Sequence, residues 1–163
     1  QAKTLRMNTK GAGFSRALAL PGIAATEGLG ARIAVRLAPG DAVALSGDLG
    51  AGKTALARAI LRALGVGGAV PSPTFTLVQC YETDKIAVRH YDLYRIEKAA
   101  ELEELGLDEA LNEGAALIEW PERARLPDDA LHVHLEIADA DARIATISGP
   151  PRWAAIFESA DAG

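Results

Sequence analysis

Lys53 and Thr54 close the run Gly47-Asp48-Leu49-Gly50-Ala51-Gly52, so that three glycines, an ammonium and a hydroxyl crowd into one short stretch. The chemistry this combination serves is phosphate binding. Glycines allow a loop to turn its backbone N–H groups inward around phosphate oxygens, where side chains would block close approach. A lysine at the end of such a loop reaches the β- and γ-phosphates as a point charge, and the following hydroxyl completes the shell of a bridging Mg²⁺ ion. The spacing of Gly47, four residues, then Gly52-Lys53-Thr54 is the Walker A pattern. Asp48, Leu49, Gly50, Ala51, Gly52, Lys53 and Thr54 are therefore the expected nucleotide-binding residues, with Lys53 also catalytic and Thr54 also a metal ligand.

Phosphoryl chemistry needs acids as well as a cradle, and two carboxylates are suitably placed. Asp92 follows the strand-like run Ile86-Ala-Val-Arg-His-Tyr91, at the edge where open α/β sheets bind ligands. The bland reading of an aspartate there is a cap for the next helix. Glu119 ends the short apolar run Ala115-Ala-Leu-Ile118, an arrangement like Walker B with Glu in place of Asp. The extra methylene leaves direct and water-mediated metal ligation both open. Trp120, beside it, suits either packing against Pro121 or a contact to nucleotide or partner. Between Val70 and Thr74 two prolines make a rigid, hydroxyl-bearing loop, where many phosphate-loop proteins keep a segment that senses the γ-phosphate; a plain connector is the alternative.

The elements that must position these groups are legible from periodicity. Asp41 to Ser46 reads as a buried strand, and Ala55, Leu56, Ala57, Ile60, Leu61 and Leu64 recur at helical spacing after Thr54. Upstream, Phe14 to Leu20 is a strand stopped by Pro21, and a helix follows from Thr26 to Leu37, with Thr26 as N-cap and Gly28 and Gly30 as weak points. Phe75–Tyr81 and Ile86–Tyr91, separated by a short polar break, predict a hairpin. Glu97–Leu105 predicts a charged amphipathic helix stopped by Gly106, and Leu107–Asn112 a second short turn before Gly114. Leu131–Ile137 and Ala142–Ser148 predict a second hairpin, with His132 and His134 on the solvent face of an edge strand. Pro150–Phe157 predicts a closing helix. The expected fold is α/β: a mixed sheet of the P-loop NTPase kind, parallel at its centre with antiparallel hairpins, flanked by helices. Residues 14–157 would form one domain, with 1–13 and 158–163 as flexible termini.

A chain of 163 residues suits one core. Its 49% apolar content contains no run long enough to span a membrane. Cys80 is the single cysteine, so no internal disulfide can form, and a reducing, cytoplasmic setting is expected. A net charge of −5 disfavours general affinity for nucleic acid, so no DNA partner is expected, and any RNA contact would be local or through another protein.

Five segments together resemble one family: Gly47-Asp-Leu-Gly-Ala-Gly-Lys-Thr54, Ser72-Pro-Thr-Phe-Thr-Leu-Val78, His90-Tyr-Asp-Leu-Tyr-Arg95, Glu104-Leu-Gly106 and Leu117-Ile-Glu-Trp-Pro121. In this order and spacing they are similar to the TsaE (YjeE) family of small bacterial P-loop ATPases in tRNA threonylcarbamoyladenosine (t6A) biosynthesis. The resemblance implies ATP and Mg²⁺ as cofactors and slow hydrolysis. It also implies a partnership with the TsaB–TsaD threonylcarbamoyl transferase complex, with tRNA engaged indirectly. By motif it implies that Lys53 and Thr54 hold phosphate and metal and that Glu119 lies in the Mg²⁺ shell. It further implies that Asp92 is the acid needed for turnover, that Thr74 senses the γ-phosphate, that Trp120 lies beside the site, and that Thr26 lies near the nucleotide base. No free arginine finger is evident; Arg95 and Arg123 are the nearest candidates. Two other readings fit a lone Walker A: a small-molecule kinase, for which Arg123 and Arg125 would be a thin lid, and an ATP-gated assembly module in which hydrolysis is incidental. No Asn-Lys-x-Asp segment supports a GTPase.

Overall fold

The computed structural model describes residues 13–162, with side chains through Glu158. The flexible ends expected for residues 1–13 lie, apart from Gly13, outside the described residues. In chain order the elements are β1 (Phe14–Leu20), α1 (Ile23–Arg36), β2 (Ala42–Ser46), α2 (Lys53–Ala63), β3 (Val78–Glu82), β4 (Ala87–Asp92), α3 (Ala99–Glu103), α4 (Leu107–Glu113), β5 (Gly114–Glu119), β6 (Leu131–Ile137), β7 (Arg143–Gly149) and α5 (Ala155–Ala162).

The strands form a single sheet in the order β1-β7-β6-β2-β5-β4-β3. β2 pairs in parallel with both β5 and β6, and β5 in parallel with β4. Antiparallel pairing is confined to the flanks, β3 with β4 and β7 with β6 and β1. The expected parallel centre with antiparallel hairpins is thus what forms. Both faces of the central strands are covered, which is why β2 and β5 read as unbroken apolar runs rather than alternating ones. Leu29 and Ile33 of α1, Leu56 and Ile60 of α2, and Trp153 and Ile156 near the C-terminus pack on one face against Val43, Leu45, Leu117 and Val133. On the other face Tyr91, Ile118 and Ala116 pack with Leu93, Ile96 and Ala110.

The register brings the two acids together. Asp92 at the end of β4 lies opposite Glu119 at the end of β5, and Leu45 of β2 lies opposite Glu119 on the other side. The loop from Gly47 therefore emerges beside both carboxylates. Helix α1 presses closely on α2: a Cβ on Gly30 would lie 2.6 Å from the Ala59 Cβ. The intrinsic helical weakness of that glycine is thereby offset by close packing that no larger residue allows.

Several boundaries differ from expectation. Helix α1 begins at Ile23 with Gly22 as its N-cap, so Thr26 is a buried residue inside the helix and not a cap. The first strand of the β3–β4 hairpin starts at Val78 and not at Phe75, because residues 74–77 turn. The Leu77 N–H donates to the Pro73 carbonyl, and Leu77 takes φ of 70°. His132 and His134 do sit on an exposed face, but β6 lies between β7 and β2 and is not an edge strand. The closing segment is a 3₁₀ turn over Pro151–Ala154 followed by α5, which continues past Phe157 to Ala162.

Candidate functional site

The loop after β2 uses its glycines for conformation and for proximity. Gly47, Gly50 and Gly52 have φ of 140°, 82° and 109°, in the region that side-chain-bearing residues avoid. A Cβ on Gly47 would stand 2.5 Å from the Leu135 carbonyl of β6, so the loop lies flush against that strand. Lys53, the first residue of α2, folds back into the loop, where its Nζ donates to the Gly47 carbonyl at 2.6 Å and the Asp48 carbonyl at 2.9 Å. The same ammonium lies 4.3 Å from the centre of the Trp120 ring. Burial pushes the Lys53 pKa below its ordinary 10.5, against the attraction of Glu119, Asp92, Glu122 and Asp48.

Thr54 and Glu119 face each other directly. The Thr54 hydroxyl lies 3.0 and 2.9 Å from the two Glu119 carboxylate oxygens. On its other side Glu119 meets His90, whose Nε2–H donates to Oε2 at 2.7 Å. His90 is fully buried, and its Nδ1 has no hydrogen-bond partner. Thr54 and His90 thus fix the orientation of the Glu119 carboxylate from two sides.

Asp92 shapes the turn after β4 and does not cap α3, whose N-cap is Lys98. Its Oδ1 accepts the Tyr94 N–H at 3.1 Å, shaping the turn after β4, while Oδ2 faces the Thr74 hydroxyl at 3.1 Å and the Ser72 hydroxyl at 3.4 Å. Those two hydroxyls are hydrogen-bonded to each other at 2.8 Å. The proline-bounded loop is therefore tied to the sheet edge through the acid. Trp120 holds φ of 60°, donates its N–H to the Leu45 carbonyl, and packs against Tyr94 with ring centres 4.9 Å apart and planes tilted by 46°. Left-handed backbone in a bulky residue is uncommon and clusters at functional edges.

Known proteins with this sequence pattern are consistent in identity. The family model described as threonylcarbamoyl adenosine biosynthesis protein TsaE matches residues 20–145. The chain belongs to the TsaE family. A relative from Rickettsia felis, tRNA threonylcarbamoyladenosine biosynthesis protein TsaE, is 42% identical over 125 residues, covering 75% of this chain and 73% of that protein. A Mycobacterium tuberculosis protein of the same description is 40% identical over 141 residues, covering 79% and 84%. Among solved structures, that of Bacillus subtilus YdiB superposes with a TM-score of 0.74 at 27% identity, over 90% of this chain and 94% of that one.

Of the residues expected from sequence for a TsaE protein, Lys53, Thr54, Asp92, Glu119, Thr74 and Trp120 are gathered at one end of the parallel strands. Asp48, Leu49 and Gly50 are exposed on the loop and Ala51 is buried beneath it. Thr26 stands apart, buried inside α1, with its N–H on the Gly22 carbonyl. Arg123 is committed to the Ile96 carbonyl at 2.8 Å, and Arg95 lies 5.3 Å over the Phe75 ring. Sequence reasoning overlooked His90 as a partner of Glu119, although its place two residues before Asp92 puts both on one face of β4. It also overlooked Arg143, which no motif marks. Among the described residues no cluster of three or more His, Cys, Asp or Glu could hold a metal by itself, and no helix is long and apolar enough to cross a membrane.

Proposed function

We propose that this TsaE-family protein is a Mg²⁺-dependent ATPase that serves t6A modification of tRNA together with the TsaB–TsaD complex. The observation that carries the reading is the convergence of Lys53 and Thr54 of α2, Asp92 of β4 and Glu119 of β5 beside the loop that follows β2. The residues fit the groups they would hold. The glycine conformations leave the loop open to a phosphate, and the paired hydroxyl and carboxylate of Thr54 and Glu119 form the hard oxygen donor set that Mg²⁺ takes alongside phosphate oxygens. Thr54 and Glu119 would hold Mg²⁺, which would supply positive charge to offset that of the phosphates.

The chain's own residues supply the remaining steps. Lys53 exchanges two carbonyl acceptors for phosphate oxygens, a substitution favoured because a neutral acceptor pair is replaced by an anion. Asp92 orients the attacking water and takes its proton as the bond from water oxygen to γ-phosphorus forms and the bond to the β–γ bridging oxygen breaks. Thr74, bonded to that carboxylate, links the state of the γ-phosphate to the 70–77 loop. Both guanidiniums considered as arginine fingers are engaged elsewhere, so the isolated protein should turn over slowly. A charge stabiliser contributed by a partner is worth about 10³–10⁵ in rate. The test is the ATPase rate with and without the TsaB–TsaD pair at fixed salt, with t6A formation measured in parallel. Stimulation together with modification supports the reading; an unchanged rate and ATP-independent modification reject it.

A further inference from the structure

Arg143, the first residue of β7, makes five hydrogen-bond contacts, all to backbone carbonyls. Its Nε donates to the Ala51 carbonyl at 3.0 Å and an Nη to the Gly50 carbonyl at 3.2 Å. The other Nη reaches the carbonyls of Asp139, Ala140 and Ala142 in the β6–β7 turn at 3.0–3.3 Å. No carboxylate pairs with it among the described residues. An arginine placed in this way is spending its fork of donors on shaping backbone, not on an ion pair.

The shape it enforces follows from peptide geometry. In a trans peptide the C=O of one residue and the N–H of the next point in opposite directions. With the Gly50 carbonyl drawn outward to Arg143, the Ala51 N–H is turned into the loop, where it meets the Asp48 carbonyl at 3.0 Å, the same oxygen that receives Lys53. With the Ala51 carbonyl also drawn outward, the Gly52 N–H is turned inward, and it finds no acceptor among the described residues. The other end of the loop is backed by the same hairpin, since Gly47 rests against Leu135 of β6.

We propose that Arg143 is a positioning residue for the phosphate cradle: from outside the loop it fixes the Gly50 and Ala51 carbonyls so that the Ala51 N–H closes the turn onto Asp48 and the Gly52 N–H faces the bound phosphates. The inference rests on the nucleotide-binding reading above, and its claim about loop shape is separately measurable. A lysine cannot replace the fork, because one ammonium cannot span two loop carbonyls and the turn together.

The experiment compares wild type, Arg143→Gln and Arg143→Lys by two readouts. The first is the equilibrium affinity for a fluorescent N-methylanthraniloyl ATP with Mg²⁺; the second is hydrogen exchange of the peptide covering residues 47–54 without nucleotide. Circular dichroism verifies folding. In Arg143→Gln the affinity should fall roughly 10- to 100-fold, the scale of a misplaced binding group, and loop exchange should accelerate; Arg143→Lys should recover only part of both. A folded Arg143→Gln protein with wild-type affinity and exchange overturns the inference. Should that variant fail to fold, wild-type behaviour of Arg143→Lys overturns it equally. A wild-type protein that does not bind the nucleotide rejects the ATP reading, while loop exchange still decides the role of Arg143.

Discussion

Replacing Lys53 by methionine should separate stability from binding. The substitution keeps the unbranched stem but removes the ammonium, with its two hydrogen bonds to Gly47 and Asp48 and its contact with the Trp120 ring. The losses amount to about 1.5–3 kcal/mol for each charge-assisted hydrogen bond, less where water replaces it, and about 0.5–1 kcal/mol for the ring contact. Against them stands relief from burying a charge, which outweighs the attraction of four surrounding carboxylates, since the Lys53 pKa is lowered. Asp48 is exposed, so water can take over its carbonyl. The net change in unfolding free energy of the nucleotide-free protein should stay within about 1 kcal/mol. Nucleotide affinity should fall by about 100-fold, because a charge-assisted contact to phosphate has no replacement.

The pH dependence carries a definite sign. With the folded pKa below the unfolded value, the unfolded chain binds more protons in the interval between them, so wild type gains stability relative to Lys53→Met as pH rises toward 10.5. Urea unfolding of both proteins from neutral pH upward measures this difference. If Lys53→Met costs several kcal/mol without nucleotide, or if the difference runs the other way with pH, the desolvation of the buried ammonium does not offset its contacts as argued.

Other substitutions probe the neighbouring groups. Asp92→Asn should leave Mg-ATP affinity within a few-fold of wild type while lowering partner-stimulated turnover by about 10²–10⁴, the usual contribution of a general base; equal losses in affinity and rate would point to a structural role. Glu119→Gln should raise the Mg²⁺ concentration needed for half-maximal nucleotide binding at least about 10-fold with little effect on Mg²⁺-free binding, and titrating Mg²⁺ at fixed ATP reads this directly. Gly30→Ala places a methyl 2.6 Å from the Ala59 Cβ, so it should destabilise by about 1–3 kcal/mol in urea despite the better helix propensity of alanine. A neutral result would mean that α1 and α2 can move apart freely.

Much of this site was legible because its parts obey local rules. The phosphate loop is marked by spacing, β2 and β5 by unbroken apolar runs, and the acids by their places at strand ends. What no local rule contains is strand order. That Asp92 and Glu119 stand side by side depends on β4 pairing with β5, and that His134 bonds the Ser46 hydroxyl depends on β6 pairing with β2. Arg143 belongs to the same class: it lies at the start of a strand far along the chain, and its role exists only because β6 and β7 fold beside the loop. The misplaced start of β3 has a different cause. Phe75-Thr-Leu has strand-forming side chains, but the Pro73–Leu77 turn overrides that preference and leaves Phe75 84% exposed. The N-terminus of α1 was missed because a hydroxyl at Thr26 is a stronger visible signal than the glycine at 22 that caps the helix.

One loop, one hydroxyl and two acids are proposed to form a single Mg-ATP site. A crystal structure of the protein with Mg²⁺ and a non-hydrolysable ATP analogue tests it most directly. Phosphates should lie within the 47–54 loop, with Lys53 Nζ moved from the Gly47 and Asp48 carbonyls onto them, and the metal between Thr54 and Glu119 with Asp92 facing the γ-phosphate. Nucleotide bound elsewhere, or bound here with Lys53 still on its carbonyls and Glu119 outside the metal's shell, would contradict it.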